Sequence, residues 1–206
     1  MKVWILNGSP HSNGNTATAL QEMIKVFEEG GIEVDLQQVG HLDIRGCIGC
    51  RKCAELNRCV FDDVVNQSAK RLEEADGIVI ASPVYFASAN ATLIAFLTRL
   101  FYSSRKINRA MKVGASVAVA RRGGITSTFD ELNKFLTNQG MAVATSQYWN
   151  GVHGQLGTEA EQDAEGLQTM RYLAHNMAFL MKCIADGKEK YGIPQKEPRI
   201  NTNFVR

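Results

Sequence analysis

Strand-length apolar runs alternate with helical patterns along the whole chain, and this alternation restricts the fold more than any other feature. Val3-Trp4-Ile5-Leu6 is an apolar run ending at Asn7-Gly8-Ser9-Pro10. From Thr16, apolar residues recur at the three-and-four spacing of a buried helix face (Ala19, Leu20, Met23, Ile24, Phe27), and Gly30-Gly31 stops the pattern. Residues 33–39 alternate as a second strand, and 64–74 have a helical pattern. Gly77-Ile78-Val79-Ile80-Ala81 is continuously apolar, as a parallel strand covered on both faces must be. Helical patterns over 89–102 and 129–138 then alternate with strand patterns over 113–120 and 142–148, and a long helix spans about 160–185.

Five strands alternating with helices predict an α/β fold, a doubly wound parallel sheet with helices on both faces. The matching order is 2-1-3-4-5, in which a ligand sits beyond the strand C-termini, where strands one and three diverge. With 206 residues and no repeat or low-complexity linker, the chain reads as one domain over 1–186, followed by a polar arm over 187–206 suited to assembly. Net charge is +2 with both signs interspersed, which argues against a nucleic-acid surface. No apolar run reaches the roughly 20 residues needed to span a bilayer, and no signal-peptide pattern is present. A cytoplasmic location is therefore expected, with no membrane partner.

The loop after strand one, Gly8-Ser9-Pro10-His11-Ser12-Asn13-Gly14-Asn15-Thr16, is dense in hydroxyls, amides and glycines. Free N–H groups at the start of the following helix attract an anion, and the helix dipole adds to the attraction. Ser9, Ser12, Asn15 and Thr16 add side-chain donors, and His11, Asn13 and Ala17 complete the cradle. No Lys or Arg is present in it, and a phosphate held by neutral donors is the pattern of an FMN site. A nucleoside-triphosphate loop needs a lysine where Asn15 stands, and a dinucleotide fold needs Gly-x-Gly-x-x-Gly, which is absent. The plainer alternative is a capped helix after a turn.

Two further loops complete the predicted site. After strand three, Pro83, Val84, Tyr85, Phe86 and Ser88 are placed to wall a flat ring; the alternative is a Pro turn with aromatic packing. After strand four, Arg121 with Gly123 and Gly124 offers a cation and close backbone approach, either to the flavin or to a nicotinamide phosphate; the alternative is a solvated turn. Asn150 and His153 follow strand five in a Gly-rich turn.

Between strand two and the next helix, the segment 45–61 carries Cys47, Cys50, Cys53 and Cys59, a Cys-x2-Cys-x2-Cys-x5-Cys run. Compact thiolate runs of this kind hold iron–sulfur clusters. Arg45, Arg51, Lys52 and Arg58 stand near to balance an anionic [4Fe–4S] cluster. Structural zinc sites usually separate their cysteine pairs more widely. The plainer alternative is that the thiols are free or that some pair as a disulfide. Cys183, among apolar neighbours on the last helix, reads as a buried structural thiol.

The loop Gly8-Ser9-Pro10 with Gly14-Asn15-Thr16, the Ser82-Pro83-Val84-Tyr85 turn and the spaced cysteines resemble the NADPH-dependent FMN reductase family, and within it the iron–sulfur flavoproteins. Weaker likeness extends to Trp149-Asn150-Gly151-Val152-His153-Gly154 and to 163–168. The resemblance implies a flavodoxin-like fold, FMN, and homodimers or homotetramers with the flavin near a subunit interface. In the iron–sulfur branch it implies electron flow between a [4Fe–4S] cluster and FMN, with a ferredoxin-like carrier or oxygen species as redox partner. Without a cluster, NAD(P)H would reduce the flavin directly. A third expectation is a non-catalytic redox sensor or carrier.

Overall fold

The computed structural model describes residues 1–198, 200–202 and 204. Its elements in chain order are β1 (Lys2–Asn7), α1 (Asn15–Glu29), β2 (Glu33–Gln38), the short α2 (Cys53–Leu56), α3 (Val64–Glu74), β3 (Gly77–Tyr85), β4 (Ser88–Ala89), α4 (Ala91–Ser103), β5 (Val113–Ala120), α5 (Ile125–Thr137), β6 (Ala142–Val143), β7 (Gly151–His153) and α6 (Ala164–Tyr191), with a 3₁₀ turn at Glu159–Gln162 before α6. The parallel strands lie in the order β2-β1-β3-β5-β6, which is the predicted doubly wound order.

The sheet divides the core in two. On one face Val3, Ile5, Val79 and Val117 pack against α1 and α6. On the other, Trp4, Leu6, Ile78 and Ile80 pack against α3, α4 and α5. Successive strand residues point to opposite faces, so strands covered on both sides must be apolar throughout. Each fully buried Leu or Ile contributes about 1.5–3 kcal/mol.

The sheet has two strands beyond the five expected. β4 folds back antiparallel on the end of β3. The fifth strand expected over 142–148 is instead a broken edge: β6 pairs with Val113 and Gly114, and β7 with Ala118–Ala120. Between them the buried Asn150 side chain donates to the Ser116 carbonyl at 3.0 Å, replacing the missing backbone partner. The last helix outruns its expected end at 185, because one glycine (Gly187) costs a helix only about 1 kcal/mol. The chain leaves the helix at Gly192, φ 74°, so the arm expected from 187 starts after Tyr191; its residues 199, 203, 205 and 206 lie outside the described residues. Cys183 is exposed rather than buried, since the inward face of α6 carries Leu173, Met177 and Met181. Among the described residues no helix is long and apolar enough to cross a membrane.

Candidate functional site

The C-terminal ends of β1, β3 and β5 converge on a cleft of about 400 Å³. Its lip is fixed by close backbone packing. A Cβ on Gly40 would lie 2.2 Å from the Gly8 carbonyl oxygen and 2.3 Å from the Ser9 backbone. Asn90 secures the same junction: its Nδ2 donates to the Gly8 and Gly40 carbonyls at 2.8 and 3.2 Å, while its Oδ1 caps α4 through Thr92 N–H at 3.0 Å.

Ser9, His11, Asn13, Asn15 and Thr16 line one side of the cleft. The Ser9 hydroxyl accepts from His11 N–H at 3.1 Å, which curls the loop and leaves its own proton free to donate. Thr16 is buried. The Asn15 Oδ1 accepts from Ala160 N–H at 2.9 Å, so Nδ2 is that side chain's remaining donor. Ser12 is exposed and Ala17 half-buried, and neither lines the cleft.

Helix α1 opens at Gly14 with no side-chain cap, whereas Asp63, Asn90 and Asp163 cap α3, α4 and α6. Its first N–H groups are therefore open to an anion, and the dipole of a 15-residue helix favours one there. No carboxylate lines the cleft among the described residues, while Arg121 does.

Pro83, Val84 and Tyr85 form the opposite wall. Burial pushes the Tyr85 phenol above its ordinary pKa, so it stays protonated. Phe86 and Ala87, at φ 51° and 60°, make the tight turn between β3 and β4, and Phe86 projects fully into solvent away from the cleft lining. Ser88 is committed elsewhere: its hydroxyl donates to Glu131 at 2.8 Å. Gly124, at φ 97°, sits against Val84 and Ala87, where a Cβ would meet them at 2.7 and 2.9 Å; it shapes the wall from behind, and Gly123 stands in open space.

Gln155, Leu156 and Gly157 close the third side of the cleft and Val119 lies on its floor, and none of them stands in a recognisable motif. The one local mark beside the first group is Gly154, where a Cβ would strike the Asn15 side chain at 2.6 Å. Asn150 supports the sheet, and the His153 N–H donates to Asp163 at 2.7 Å outside the cleft.

A second cavity, of about 240 Å³, is lined by all four clustered cysteines together with Arg51, Arg99 and Arg105. Cys47 and Cys50 are exposed, Cys53 and Cys59 half-buried. Among the described residues no three Cys, His, Asp or Glu side chains gather tightly enough to hold a metal ion, so the thiols share a cavity without converging on a point. Asn66 holds Cys59 by its backbone, accepting its N–H at 2.8 Å and donating to its carbonyl at 3.1 Å.

An uncapped helix N-terminus opening on a cleft, at the switch point of a 2-1-3 sheet, defines a flavodoxin-like protein. Solved structures agree on the fold. RosB with bound 8-demethyl-8-formylriboflavin 5′-phosphate superposes with a TM-score of 0.69 at 16% identity, over 100% of this chain and 94% of that one. An archaeal flavodoxin superposes with a TM-score of 0.60 at 15% identity, over 88% and 99%. Residues 1–155 match the model of the NADPH-dependent FMN reductase family, and the chain belongs to that family. It is 32% identical to an iron–sulfur flavoprotein of Methanocaldococcus jannaschii, over 89% of this chain and 99% of the relative. It is 29% identical to one of Methanosarcina thermophila, over 92% and 100%.

Proposed function

We propose that this protein is an FMN-dependent oxidoreductase of the iron–sulfur flavoprotein kind, with a [4Fe–4S] cluster on Cys47, Cys50, Cys53 and Cys59 exchanging electrons with FMN for a small or protein acceptor. The observation that carries the reading is the shared cavity: four thiols and three arginines line one space. An all-thiolate donor set with cationic surroundings suits an anionic iron–sulfur centre. The names borne by the relatives point the same way.

FMN, when bound, supplies the exchange of one or two electrons. The residues present fit it, since the cleft offers open N–H groups and, among the described residues, no opposing carboxylate. The α1 N-terminus, Thr16 and Ser9 would hold the phosphate. Pro83, Val84 and Tyr85 would orient the ring and keep water from one side, and Arg121 would balance negative charge. A ferredoxin-like carrier as donor and a homodimer or homotetramer as the working unit belong to the same proposal.

The test is anaerobic purification followed by the visible spectrum and assays of iron and acid-labile sulfide. The expected result is flavin bands on a broad shoulder, with about four iron and four sulfide per chain. Flavin without iron would leave a reductase taking hydride from NAD(P)H, the reading that the family's description favours. Absence of flavin after FMN is added would overturn both.

A further inference from the structure

We propose that Arg99 is a positioning residue for the cysteine centre, holding Cys59 from inside α4 and setting the reduction potential of the centre through a hydrogen bond to the Cys59 sulfur. This builds on the iron–sulfur reading above.

Arg99 interrupts an otherwise apolar helix face, between Phe96 and Leu100, and is 1% exposed. All five of its N–H donors are used. Nε donates to Cys59 Sγ at 3.3 Å. Nη1 donates to the Arg45 carbonyl at 3.2 Å and Asp63 Oδ2 at 2.7 Å. Nη2 donates to the Phe61 carbonyl at 3.3 Å and Asp63 Oδ1 at 2.9 Å. The partners lie on both sides of the cysteines in sequence, at 45 and at 59–63, so one side chain gathers both ends of the segment onto α4. Burial alone would lower the guanidinium's pKa, but the bonds to Asp63 and Cys59 outweigh it and leave the group above its ordinary value, permanently charged.

A purely structural role explains this poorly. Burying a guanidinium costs several kcal/mol, and well-packed apolar residues often replace a buried ion pair without loss. A ring of backbone anchors also has no need of an N–H aimed at a thiol. That contact is specific to Cys59: among the described residues no hydrogen bond reaches the sulfur of Cys47, Cys50 or Cys53. Cys59 is thus the cysteine fixed in advance, backbone by Asn66 and sulfur by Arg99, while Cys47 and Cys50 are exposed and Cys53, half-buried, has no such bond to its sulfur among the described residues.

The consequence for a bound centre follows from charge. Reduction places more negative charge on the sulfurs, and an N–H donor stabilises that state more than the oxidised one, so hydrogen bonds to sulfur raise the potential. Arg99 therefore makes the centre easier to reduce.

The experiment compares wild type, Arg99→Lys, Arg99→Met and Asn66→Ala, all purified without air. Iron and sulfide are assayed, and the potentials of the cluster and of FMN are measured in one redox titration. Arg99→Met should shift the cluster to more negative potential with the FMN potential unchanged, and Arg99→Lys should fall between it and wild type. Asn66→Ala loosens the same loop but leaves the sulfur contact, so its cluster potential should stay near wild type. An unchanged potential in iron-loaded Arg99→Met, or an equal shift in Asn66→Ala, would overturn the proposal. If both Arg99 variants lose their iron while Asn66→Ala keeps it, the positioning of Cys59 is supported; loss from all three would reduce Arg99 to a loop anchor and overturn it. Wild-type protein lacking iron would overturn the cluster reading itself.

Discussion

The cleft at the strand ends and the cysteine cavity are held open by different means. The cleft is built from backbone: strand ends set by the sheet, a helix N-terminus, and glycines packed against carbonyls at Gly8 and Gly40. The cavity is an insertion with one short helix, fastened to the domain by the side chains of Arg99, Asn66 and Asp63. Backbone construction makes the first site a property of the fold, sensitive where an added Cβ would strike the backbone. Side-chain fastening makes the second adjustable, and fragile to single substitutions.

The largest expected effect probes the backbone claim. Gly40→Ala puts a methyl into the Gly8–Ser9 backbone, which cannot rotate away, and should cost about 3 kcal/mol or more together with FMN retention. Urea unfolding and flavin content check it, and near-native values for both would break the comparison. Asn66→Ala comes next. It strands the Cys59 and Phe61 backbone groups and should cost about 1–3 kcal/mol, with faster amide exchange confined to 59–63 and FMN content unchanged. Loss of flavin there would tie the two sites together.

Within the cleft, the buried Thr16 and the exposed Ser12 should separate. Thr16→Ala should weaken FMN by about 1.5 kcal/mol, roughly tenfold in Kd, and Ser12→Ala by less than about 0.5 kcal/mol. Titration by flavin fluorescence measures both, and equal losses would show that the loop rearranges around its ligand.

The smallest effect concerns the tie between α1 and α6, where Arg171 meets Glu22 at 2.5 Å and Lys25 meets it at 2.6 Å. The hydrogen bond from Lys25 chiefly, with that from Arg171, holds the Glu22 carboxyl below its ordinary pKa of 4.5. The unfolded chain then binds the proton more readily, so this stability is present above the ordinary value and is lost as pH falls through the lowered one. Its worth is at most about 1 kcal/mol for so exposed a network. Glu22→Gln should remove that part of the acid dependence in urea melts and leave FMN affinity at neutral pH unchanged. A change in affinity would mean that the cleft's helix needs side-chain ties after all.

Much of this was legible in the sequence, for reasons that can be named. The continuous apolar run Gly77–Ala81 declares a strand covered on both faces. Pro83 hides the rest of β3, since a proline suggests a turn. It is tolerated because it shares the parity of Ala81, whose carbonyl accepts Gly8 N–H on the β1 side, and β1 has ended by then. The cysteine spacing shows the second site, but not its support. Arg99 looks like one polar residue in a helical pattern, and nothing local says that it faces inward toward a segment 40 residues earlier. Gln155, Leu156 and Gly157 reach the cleft only because β7 returns to the sheet after a break, and a broken edge has no periodicity to read.

That broken edge also bears on how the molecule behaves in company. A full-length border strand offers a row of free N–H and C=O groups on which a foreign strand can grow. Here the border next to β5 is two stubs of two and three residues, with the Asn150 amide filling the gap between them. A strand approaching this side finds no continuous register, and the sheet is closed to recruitment there without a helix to cover it.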